Sequence, residues 1–117
     1  MVYSLGIDAS LRSTGLSIIS AEGKGFVKNL KPAKLKDGTR LQFMHEETLL
    51  WLGSIDIDTS EIGIAIMEGP AYSANTKAFS MGEAYGLFKF LCASEFCLEP
   101  ITPSPKELKK YLSKNKT

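Results

Sequence analysis

Three short apolar runs crowd the first thirty residues, too close together for a helix to fit between any two of them. "VYSLGID" (2–8), "TGLSIIS" (14–20) and "GKGFVKNL" (23–30) are rich in β-forming residues and are separated by turns bearing Gly, Ser and Thr. Parallel neighbours need a crossover of a dozen residues or more, whereas antiparallel neighbours need only a tight turn. The segment therefore reads as an antiparallel meander, and whatever follows must pack on it.

The hydrophobic period then changes. "GTRLQFMHEETLLWLGSI" (38–55) places Leu41, Met44, Thr48, Leu49 and Leu52 on one face at helical spacing. "EIGIAIME" (61–68) is almost continuously apolar, the pattern of a central strand covered on both faces. "NTKAFSMGEAYGLFKFLCASE" (75–95) is helical in length, with Phe79, Met81, Tyr85, Phe88 and Leu91 available for packing. Gly82 and Gly86 lie on one side of that helix, where close packing on the sheet is the favoured reading and a subunit contact the other. "CLEPITP" (97–103) reads as a fifth strand. "SPKELKKYLSKNK" then opens a last helix with a capping box, Ser104 as N-cap and Glu107 reaching back. The expected order is β-β-β-α-β-α-β-α, an α/β fold with a mixed five-stranded sheet flanked by helices.

Composition narrows the class. With 117 residues, 44% hydrophobic and 23% charged, residues 1–117 read as a single globular domain. No apolar run approaches the roughly 20 residues of a membrane span. The start "MVYSLGID" lacks a basic segment and a cleavage site, which reads as no signal peptide. Cys92 and Cys97 read as reduced thiols, and one histidine with two cysteines gives no zinc spacing. A cytoplasmic setting without membrane contact is expected. The net charge of +1 hides an asymmetry: residues 1–99 carry nine Lys/Arg against twelve Asp/Glu, and residues 100–117 carry five Lys against one Glu. A basic end on a slightly acidic body suits an anionic partner, although solvated lysines are common at chain ends.

Asp8 ends the first run and Glu68 the fourth. Parallel neighbours bring their carboxyl ends to one edge of an α/β sheet, where ligands usually bind. Two carboxylates that close repel unless a proton or a cation lies between them, and magnesium or manganese takes hard oxygen ligands of this kind.

"GIDASLRSTG" resembles the first motif of the RuvC-type Holliday-junction resolvases of the ribonuclease H-like nuclease superfamily. Asp8, Arg12, Thr14 and Gly15 match it, while Ala9 and Ser10 replace the usual Pro-Gly. "AIMEGPAYSANTKAFSMGEAYG" is similar to the second motif through Glu68, Tyr72, Asn75, Gly82, Ala84 and Gly86. "ITPSPKELKKYLS" resembles the third, with Lys109 nearest the family's DNA-facing lysine. The resemblance implies a ribonuclease H-like fold and a structure-selective endonuclease that resolves four-way junctions by metal-assisted phosphodiester hydrolysis. Asp8 and Glu68 would be metal ligands for Mg or Mn, with Lys109 beside them as a catalytic residue. Arg12, Tyr72, Lys77, Lys106, Lys109 and Lys110 would contact the branched DNA, and a homodimer would cut its two opposed strands. The family also draws two acids from a later helix, and the sequence stops before one, which reads as a C-terminal truncation. The alternative is a catalytically incomplete, resolvase-like module that binds junctions. An actin-like ATP-binding fold shares the opening meander, but it needs Gly soon after the aspartate where Ala9, Ser10 and Leu11 stand.

Overall fold

The computed structural model describes residues 2–10, 13–32, 34–68 and 77–103, with the backbone alone for 77–81. Strands β1 (Tyr3–Asp8), β2 (Thr14–Ser20) and β3 (Gly25–Leu30) form the expected antiparallel meander. Helix α1 (Asp37–Ser54), a 3-10 turn at Thr59–Glu61, strand β4 (Ile62–Met67) and helix α2 (Lys77–Phe96) follow. The sheet order is β3-β2-β1-β4, with β4 parallel to β1.

Strict alternation explains why one face of the sheet carries the core. Tyr3, Leu5 and Ile7 of β1 are buried and so are Leu16 and Ile18 of β2, while Ser4 and Asp8 point to the other side. Helices α1 and α2 supply Met44, Thr48, Trp51 and Leu52, and Tyr85, Phe88, Leu91 and Cys92, at the three- and four-residue spacings of a buried stripe. Phe88, wholly buried, contributes on the order of 2–3 kcal/mol through the apolar area it removes from water. Trp51 joins this core although the sequence pattern places Leu49 there, and Leu49 packs against its edge. The Asp58 carboxylate caps the 3-10 turn by accepting from the Ser60 amide and hydroxyl, while Glu61 accepts from the Asp58 amide. This closed turn sets the entry of β4.

Three expectations change. Among the described residues the sheet has four strands, not five: residue 101 forms an isolated parallel bridge with Ile66, in which the Ile101 N–H donates to the Ala65 carbonyl and its carbonyl accepts from Met67. Pro103 lacks the N–H that would donate to the Met67 carbonyl and extend this ladder, and Cys97 has a left-handed φ of 53°. Strand β4 is covered on one face only among the described residues, since Ile64 and Ile66 are 37% and 40% exposed. A register shift between Tyr3 and Ser4 lets both Ile62 and Ala65 face the core despite their odd spacing. Gly82 and Gly86 do not pack on the sheet; both are exposed, with open space where a Cβ would stand. The last expected helix lies outside the described residues.

Cys92 is buried in the core, and desolvation, helped by the charge of Glu99, pushes its thiol up to about 11. Cys97 is exposed just past α2. Only the thiolate is nucleophilic. A disulfide reagent at pH 8 is therefore expected to modify one thiol in the folded protein and two in denaturant, and Cys97→Ser should abolish the native reaction.

Candidate functional site

The parallel pairing of β1 with β4 positions the two acids. Ile7 stands opposite Met67, so the next residues, Asp8 and Glu68, emerge side by side at the carboxyl ends of neighbouring strands. Neighbouring strands run about 4.8 Å apart, which brings both carboxylates to one rim. Asp8 is exposed and Glu68 half-buried. Both line an open groove of about 780 Å³ on the face away from the core, with Gly15, Ser17, Asn29 and Pro103 among its other walls.

The turn after Asp8 is held by Thr14. Its hydroxyl donates to the Ser10 carbonyl at 2.6 Å, and the Ser10 amide donates back to the same oxygen at 3.1 Å. Thr14 is wholly buried and Ser10 half-buried, and this pair fixes how the chain leaves the rim. Gly15 stands directly opposite Asp8 on β2, and its missing side chain leaves the carboxylate unobstructed from that flank. One strand further, Asn29 of β3 is opposite Gly15. No sequence motif pointed to Asn29; only the strand register brings it onto the rim.

The other sequence-predicted site residues are placed as follows. Arg12, Tyr72, Lys106, Lys109 and Lys110 lie outside the described residues, and Lys77 opens α2 with its side chain outside them. The chain leaves the described part at Pro103, which lines the groove near Glu68. Among the described residues no three His, Cys, Asp or Glu side chains gather as a metal cluster.

No protein-family model matches the sequence, and no curated protein matches it. Solved structures do. RuvC of Thermus thermophilus in complex with a Holliday junction substrate superposes with a TM-score of 0.72 at 17% identity, covering 97% of this chain and 71% of that one. A second structure of Thermus thermophilus RuvC gives 0.71 at 20% identity, covering 96% and 69%. The fold is RuvC-like. YeaZ from Pseudomonas aeruginosa is similar at a TM-score of 0.56 and 16% identity, over 80% of this chain and 40% of YeaZ. The RuvC-like architecture agrees with a mixed ribonuclease H-like sheet, of which four strands are present. No helix among the described residues is long and apolar enough to cross a membrane.

Two solvent-accessible like charges at adjacent strand ends, one exposed and one half-buried, repel by about 0.2–1 kcal/mol, and salt screens the effect. Asp8→Asn is accordingly expected to raise the stability of the metal-free protein slightly at low ionic strength, with the gain fading in about 0.5 M salt. Urea unfolding at the two salt concentrations measures it. A gain that does not respond to salt would separate the two acids.

Proposed function

We propose that the protein is a structure-selective endonuclease of branched DNA, acting on four-way junctions by metal-assisted phosphodiester hydrolysis. The observation that carries this reading is the meeting of Asp8 and Glu68 at one rim of a parallel strand pair in a RuvC-like fold. One of the similar structures is RuvC bound to a Holliday junction substrate. The sequence motifs around Asp8, Glu68 and Lys109 support the same reading.

The donor chemistry of the rim fits a hard divalent cation, Mg or Mn: two carboxylates, close together and open to solvent on one side. Asp8 and Glu68 would hold it, and their place at strand ends costs little side-chain entropy on coordination. A bound divalent ion supplies Lewis-acid polarisation of the phosphoryl group and activation of water. The chain's own residues do the remainder. The Thr14–Ser10 pair fixes the backbone that carries Asp8, and Gly15 keeps the approach clear. Lys106, Lys109 and Lys110 would neutralise backbone phosphates without reading sequence, with Arg12 and Lys77 as further contacts. Tyr72 would stack on an unpaired base at the branch point. A homodimer working in the cytoplasm would present two such rims to the two strands that must be cut. Residues 1–117 act as one domain in this reading.

The second reading is a junction-binding module without cleavage. It is favoured by the presence of only two acids on the rim among the described residues. A synthetic four-way junction separates the two. The nuclease reading expects cleavage in magnesium or manganese that falls at least a hundredfold in Asp8→Asn while junction binding persists. Binding with no cleavage under either metal would establish the module instead.

Counterion release gives a further check. Lys109→Ala and Lys110→Ala are each expected to lower the slope of log affinity against log salt by about one. An unchanged slope would remove these lysines from the DNA interface.

A further inference from the structure

The rim extends beyond the two acids. Following the strand register outward from Glu68, the residues at one level are Asp8 of β1, Gly15 of β2 and Asn29 of β3. Directly opposed residues of neighbouring strands share a face, so this row lies on the open side of the sheet. Gly15 interrupts the row with a gap. A Cβ built there would stand 3.7 Å from the Asn29 carboxamide oxygen and 3.7 Å from the Asp8 Cβ. The two side chains thus flank the same empty position, with the amide oxygen turned inward along the row. All of them line the same groove. Asparagine is disfavoured in strands, and Asn29 is exposed on the edge strand, so neither strand propensity nor core packing accounts for it.

We infer that the Asn29 carboxamide oxygen is a third oxygen arm of the rim, directed across Gly15 toward a divalent cation held by Asp8 and Glu68. The inference rests on the reading of those two acids as cation ligands. A carboxamide suits the position electrostatically. It offers a hard oxygen of the kind that magnesium, manganese and calcium accept, and it adds no third negative charge to a pair that already repels. Because β2 separates Asn29 from Asp8, the carboxamide acts on the ion through ordered water, tightening its binding and orienting it toward the open groove. The small residue at position 15 is then part of the site, because a larger side chain would screen Asn29 from Asp8.

Manganese binding without DNA tests this, by isothermal titration calorimetry on the full chain, with circular dichroism to verify folding. Asn29→Ala is expected to weaken Mn2+ affinity about tenfold, within the range seen when supporting residues of metal sites are removed. Asn29→Asp, which restores an oxygen and adds charge, is expected to recover at least the original affinity. A purely structural role for Asn29 would not give that recovery. If Asn29→Ala binds Mn2+ like the unaltered protein while Asp8→Asn abolishes binding, the third arm is overturned and the two-acid rim stands. The third arm is likewise overturned if Asn29→Asp stays as weak as Asn29→Ala. If Asp8→Asn also leaves binding unchanged, or the unaltered protein binds no Mn2+, the cation reading of the rim falls together with it.

Discussion

The parallel ladder between β1 and β4 is the contact on which the site depends. The two strands are far apart in sequence, and their pairing closes a long loop that contains β2, β3 and α1. Its entropic cost is repaid by burial on one face, where Leu5, Ile7, Ala65 and Met67 share one hydrophobic cluster with Phe88, Leu91 and Met44. Because the strands run the same way, both end at the same rim, and the two residues that follow the last ladder pair are acids. Antiparallel pairing would have sent Glu68 to the opposite rim. The chemistry of the site is therefore a consequence of strand direction.

The sheet is asymmetric in a way that matters for the groove. Its inner face carries the core under α1 and α2, with Phe26 half-buried at the β3 edge, whereas the outer face exposes Ile19, Val27, Ile64 and Ile66 beside the acidic rim. Parallel pairs are normally covered on both sides, so the exposed isoleucines of β4 sit where a second layer is usually found. The groove combines an apolar floor with carboxylates at one end.

Two motif residues owe their place to structure before chemistry. Thr14 is buried and hydrogen-bonds Ser10 in both directions, so its contribution is to shape the turn that presents Asp8. Gly15 contributes by absence, leaving clear the space between Asp8 and Asn29. Glycines 82 and 86 are different: their helix face is open, and close packing on the sheet does not explain them.

Much of this was legible in the residues. The spacing of turns and apolar runs defined β2 over 14–20 to the residue, and located both helices and β4 within two residues of their ends. These signals are local, since each depends on backbone preference and side-chain period within a few turns of chain. The acids at 8 and 68 were identifiable because each closes an apolar run. What only the tertiary structure decided is non-local. The proline at 103 helped reduce an apparent fifth strand to a single bridge, because ladder bonds depend on N–H groups facing a particular partner. The open outer face of β4 and the exposed glycines of α2 follow from which layers are stacked, and continuous apolarity does not encode that. Asn29 entered the site through register alone, since four strands had to align before residues 29, 15, 8 and 68 could share one level.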